Sequence, residues 1–161
     1  MSVRNSILKT YGKLSVGESI ASSAVKTSID INAKLIVVFS ESGKMANYVA
    51  KFRPGIPVLC LTPNQTAARQ ASGLLFGLHT IVVDHLDDCN ELLEDISFEL
   101  VQSGILKEGD EIIAIAGRMA SMKEQLQVIS LTAGKAHGHI VTRSQSFFFN
   151  RSLLLHYSTL S

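Results

Sequence analysis

The stretch that decides the fold is "KLIVVFSESGKMANYVAKF", Lys34 to Phe52. Five consecutive apolar residues, Leu35 to Phe39, run straight into Ser-Glu-Ser-Gly-Lys, and good helix formers follow. A short, nearly continuous apolar run suits a strand buried on both faces of a parallel sheet. A strand that turns directly into a helix leaves the first helical N–H groups without partners, and such a turn can hold an anion. Two readings of "SESGK" compete: a phosphate cradle, or a capped helix start whose Glu41 would repel phosphate.

Working outward, the same alternation recurs. "GESIASSAVKTSIDIN" (Gly17 to Asn32) puts Ile20, Ala24 and Ile31 near helical spacing. "VLCL" (Val58 to Leu61), "TIVV" (Thr80 to Val83) and "EIIAIA" (Glu111 to Ala116) are further buried-strand runs. Between them, "GKMANYVAKF", "NQTAARQASGLLFG" and "DDCNELLEDISFELVQSG" have helical length and end in Gly or near Pro. "LQVISL" (Leu126 to Leu131) follows too closely for a parallel crossover, so it pairs antiparallel at the sheet edge. These elements predict an α/β fold: a three-layer α/β/α sandwich on a mostly parallel five-stranded sheet with one antiparallel edge strand. The domain is expected over 1–131, with 132–161 a tail.

Composition narrows the function classes. The 161 residues suit one domain with a real core. Fifteen Lys+Arg against 14 Asp+Glu give no net field for nucleic acid or an acidic membrane, so neither is an expected partner. Cys60 and Cys89 stand far apart, with neither metal nor disulfide spacing. The start, "SVRNSILKTYGK", lacks the apolar core of a signal peptide, and the late apolar run "SFFFNRSLLLHY" is broken by Asn150 and Arg151. A soluble cytoplasmic protein is expected, with an organelle left open.

In an open α/β sheet, ligands bind outside the carboxyl ends of the strands. Those ends are 40–44, 62–66, 84–88 and 117–121. The first is the richest: Ser40 and Ser42 bring hydroxyls, Gly43 permits close backbone approach, and Lys44 brings positive charge. Asn64 is a natural N-cap, with Thr66 and Arg69 in the next turn. The loop is no Walker motif, since Val38 replaces its first glycine and Met45 its Ser or Thr. Asp84, Asp87 and Asp88 are expected to cap the helix beginning near Cys89.

Taken together, "GESIASSAVKTSIDINAKLIVVFSESGKMANYVAKFRPGIPVLCLTPNQTAARQ", "GLHTIVVDH" and "GILKEGDEIIAIAG" resemble the C-terminal domain of pyruvate kinase. The likeness covers Tyr11 to about Leu131, with its landmarks in order: strand, Ser-x-Ser-Gly loop, helix, Arg-Pro turn, second strand. The resemblance implies a domain for allosteric regulation and self-association, joined to a (β/α)₈ barrel. In that family the barrel transfers phosphate from phosphoenolpyruvate to ADP, using magnesium and potassium. This chain then carries no catalytic residues, cofactor or metal of its own, and is expected to show no kinase activity by itself.

The resemblance also implies an effector phosphate site on Ser40, Glu41, Ser42, Gly43, Lys44 and Met45. Glu41 stands where activated members often carry Lys, and it opposes a phosphate. The chain has no Trp, and "GRMASMKEQ" replaces the glycine-rich loop that with Trp holds the second phosphate of fructose bisphosphate. A sugar monophosphate, a nucleotide monophosphate or no effector stay open, with Arg118 and Lys123 the nearby cations.

"TAGKAHGHIVTR" (Thr132 to Arg143) faintly resembles the phosphohistidine motif of swivelling domains that use phosphoenolpyruvate, with His137 as acceptor and Arg143 as phosphate partner. The alternative function is therefore a free-standing phosphate-ligand binder or phosphohistidine carrier. "SFFFNRSLLLHY" either docks on the domain, forms a subunit contact or is an aggregation liability.

Overall fold

The computed structural model describes residues 12–74, 77–116 and 125–130. The expectations placed on the 117–124 loop, on His137 and Arg143, and on the tail lie outside the described residues.

Helix α1 (Val16–Asp30) begins one residue before the expected stretch, and its start is a capping box. The Ser15 hydroxyl accepts from the Glu18 N–H while the Glu18 carboxylate accepts from the Ser15 N–H, so two helix-end donors are satisfied at once. At the other end Asn32 takes the left-handed conformation (φ 54°). Its N–H reaches Ile29 O, and the Ala33 N–H reaches Ser28 O, which closes the last carbonyls in a Schellman pattern.

Strand β1 (Leu35–Phe39) is buried along its whole length, as its unbroken apolar run requires. Helix α2 (Lys44–Lys51), strand β2 (Val58–Thr62), helix α3 (Gln65–Leu74), strand β3 (Leu78–Val82) and helix α4 (Cys89–Gln102) follow in alternation. Strand β4 (Glu111–Ala116) then pairs antiparallel with β5 (Gln125–Ser130). The sheet order is β3-β2-β1-β4-β5, parallel except for that last edge. The expected architecture, four parallel strands and one antiparallel edge strand, is therefore the observed one.

Side chains of a strand alternate between faces, and the core divides accordingly. Ile36, Val38, Val58, Cys60, Ile113 and Ile115 pack with Ala21, Ala24, Ala46 and Val49 of α1 and α2. Leu35, Val37, Phe39, Leu59, Leu61 and Ile112 pack instead with Leu93, Ile96 and Leu100 of α4. Two helical layers thus enclose the sheet. The small residues of α1 let it approach α2 closely, and Lys51 joins Glu18 across the pair at 2.7 Å.

β3 starts two residues earlier than its apolar run suggested. The two added residues include His79, which a strand at the sheet edge and only half-buried tolerates.

Candidate functional site at the strand ends

The winding of the sheet reverses between β1 and β4. From β1 the chain proceeds outward through β2 to β3, then returns to place β4 on the other side of β1. Phe39 and Ala116 stand side by side in register at the carboxyl ends of these two strands. That is the topological switch point, where an open α/β sheet has a crevice for ligands. The loop Ser40 to Gly43 forms one side of it. Residues 117–124, which leave β4, lie outside the described residues.

The loop is held from below by β2. The Ser40 N–H donates to Leu61 O at 3.0 Å, and Ser40 is buried. The Thr62 hydroxyl donates to Glu41 O at 3.1 Å and accepts from the Asn64 N–H at 3.2 Å. Thr62 is fully buried, so one side chain ties together the loops after β1 and β2. Asn64 is the expected cap, its Oδ1 accepting from the N–H groups of Thr66 and Ala67.

At α2 the cap differs from the one the serines suggested. Gly43 is the N-cap, in the left-handed conformation (φ 71°), and no side chain bonds to the helix start. A glycine suits that backbone, and a Cβ there would also come within 3.5 Å of Ala67 Cβ on α3. The first-turn amides of α2, which have no carbonyl within the helix to bond, therefore receive no acceptor from a cap side chain.

The remaining sequence-predicted residues divide by exposure. Glu41 and Ser42 are exposed beside this helix start. Lys44 is exposed too, and its Nζ lies 5.7 Å from the centre of the Tyr48 ring, one turn along the helix. Met45 is 3% exposed and belongs to the core beside α1, so an anion could meet only its N–H. Chemically the loop offers backbone donors, a serine hydroxyl and one lysine, opposed by one carboxylate.

Of the three aspartates expected to cap α4, Asp88 does so, accepting from the Asn90 and Glu91 N–H groups at 3.1 Å. Asp84 and Asp87 lie exposed before it. Cys60 is wholly buried, and burial pushes its thiol up to about 12. Partial burial, then the neighbouring Asp88 carboxylate, raises Cys89 as well. Among the described residues no three His, Cys, Asp or Glu side chains gather as a metal set. No helix among them is long and apolar enough to cross a membrane.

Sequence reasoning placed Thr62 in the strand-end stretch 62–66 but gave it no role; its hydroxyl proves to be the tie between the two loops. Outside the site, the Ser15 to Glu18 capping box of α1 was present in the sequence at the spacing that defines it and went unread.

Comparison with known proteins agrees with this architecture. The pyruvate kinase α/β domain family model matches residues 18–134. The pyruvate kinase of Geobacillus stearothermophilus is 30% identical over 102 residues, which cover 63% of this chain and 17% of that protein. That of Bacillus licheniformis is 28% identical over 136 residues, covering 83% of this chain and 23% of that protein. The chain thus spans roughly a fifth of the length of these relatives. Among solved structures, Cryptosporidium parvum pyruvate kinase in complex with ADP superposes with a TM-score of 0.71 at 24% identity, over 80% of this chain and 26% of that one. With the family model spanning most of the chain, and the sheet order, edge strand and strand-end loops in place, this protein belongs to the pyruvate kinase α/β domain family.

Proposed function

We propose that this chain is the C-terminal assembly and regulatory domain of a pyruvate kinase. Its work is to associate with copies of itself and with the catalytic barrel. The barrel would carry the magnesium and potassium and convert phosphoenolpyruvate and ADP to pyruvate and ATP. A phosphate-bearing effector at the β1–β4 crevice biases how the subunits sit, and activity follows through that equilibrium.

The observation that carries this reading is the glycine-capped start of α2 at the switch point. Its first-turn amides lie at the carboxyl end of β1, where this class of sheet binds ligands, and the positive end of the helix dipole favours an anion. Ser42 adds a hydroxyl, and Lys44 a charge. Glu41 weakens the site, so a single phosphate is a better ligand than two. The preferred effector is a sugar monophosphate or nucleoside monophosphate.

Calorimetric titration of the chain with glucose 6-phosphate, AMP and fructose bisphosphate tests this. A monophosphate should bind, more tightly than or equally to the bisphosphate. Ser42→Asp should weaken it at least tenfold, and Glu41→Lys should tighten it. No heat from any of the three would overturn the effector site and leave subunit contact as the domain's role.

A further inference from the structure

The outward face of α4 combines several carboxylates with one bare aromatic ring. Glu91, Glu94, Asp95 and Glu99 are all exposed on it, and Phe98 stands among them with 66% of its surface open to solvent. Their spacings of three and four residues place these groups on one stripe of the helix. α4 contains no Lys or Arg, and none of the four carboxylates makes an ion pair with another described residue. Asp84, Asp87 and Asp88 precede the helix, so half of the chain's 14 acidic residues fall between 84 and 99. Like charges at these spacings repel one another, and Glu99 faces the negative end of the helix dipole as well. An uncompensated acidic stripe around a bare aromatic ring is suited to a basic, apolar partner.

The same sequence contains such a partner. Residues 132–161 hold Lys135, Arg143 and Arg151 but no Asp or Glu, and they include the apolar clusters Phe147 to Phe149 and Leu153 to Leu155. The tether is short enough to favour contact and long enough to permit it. Ser130, the last residue of β5, pairs with Glu111 at the start of β4, the end of the sheet to which the chain returns after α4. α4 is about 21 Å long at 1.5 Å per residue. The 31 residues that follow Ser130 could span several times that distance when extended. A tethered segment also acts at a high effective concentration, so a modest interface suffices.

We infer that the outward face of α4 is a docking surface for residues 132–161 of the same chain, with Phe98 meeting the apolar clusters and the carboxylates meeting Lys135, Arg143 and Arg151. This holds whether or not the strand-end loop binds an effector, because the two surfaces share no residue.

Zero-length carbodiimide cross-linking of the intact chain tests it without any variant. Lys135 is the sole lysine of the segment, so its amide links to carboxylates can be read by mass spectrometry. Links from Lys135 to Glu91, Glu94, Asp95 or Glu99 should exceed those to the exposed Glu41 and Glu108 at least fivefold. They should fall at least threefold in Phe98→Ser and in 0.5 M salt. A mixture of light and heavy isotope-labelled chains separates links within one chain from links between two. Links spread evenly over all exposed carboxylates, or found only between chains, would overturn the inference; the latter would assign the face to a second copy.

Discussion

At the scale of single residues, Thr62 and Gly43 do most to shape the candidate site. Thr62 offers one hydroxyl to two loops and has no exposure to water. Thr62→Val keeps the shape but strands Glu41 O and the Asn64 N–H, and should cost about 1–3 kcal/mol in urea unfolding. Thr62→Ser should restore most of that. Gly43→Ala asks an L-residue to adopt φ 71° and should cost about 1 kcal/mol. If either variant matched the parent protein in denaturant midpoint, the loop would be held by other contacts. The serines of the loop show why this scale was the hardest to read from sequence. Ser42 and Gly43 both precede the helix, and either can begin one; the choice fell to glycine because the turn out of β1 demands a positive φ, which no residue count reveals. The burial of the Met45 side chain was unreadable for a similar reason, since the sequence does not say on which side of its first turn the helix meets the core.

At the scale of elements, α1 and α2 are coupled by one charge pair. Lys51 bonds Glu18, and the Ser15 N–H and hydroxyl bond the same carboxylate. The Lys51 bond, then the Ser15 bonds, hold the Glu18 carboxyl at about 2, against 4.5 ordinarily. A depressed carboxylate stabilises the fold above its unfolded value, and that contribution disappears as pH falls through the folded value. Stability should therefore decline between about pH 4.5 and 2. Because both side chains are partly solvated, the contribution is on the order of 1 kcal/mol. Glu18→Gln should flatten that part of a stability–pH curve, and an unchanged slope would refute the coupling. Elements themselves were largely legible: β1 and β4 occupy the predicted residues, because runs of five or six apolar residues have no other place than a doubly covered sheet. β3 was the exception, its edge position allowing His79 within a strand.

At the scale of the whole molecule, the two cysteines report on integrity. Cys60 lies in the central layer with its thiol pushed up to about 12, while Cys89 is partly open at the start of α4. In neutral solution a thiol reagent should label Cys89 slowly and Cys60 only on unfolding. The Cys60 rate should rise with urea in step with global stability. Labelling of Cys60 without loss of helix signal would mean that the sheet opens locally. The overall architecture followed from the alternation of apolar runs and helical segments. The place of β4 next to β1 did not: adjacency across most of the chain is a matter of winding, which a succession of apolar runs does not encode.

That winding also dictates an order of assembly. The β1-β2-β3 half of the sheet joins neighbours along the chain, and β4 with β5 is a local pairing. The Leu35 to Ile112 register instead joins the second of the nine described elements to the eighth, so it must await the closure of a long loop. The seam between β1 and β4 is therefore expected to form last in folding, and the crevice assigned to the effector would not exist until the two halves have met.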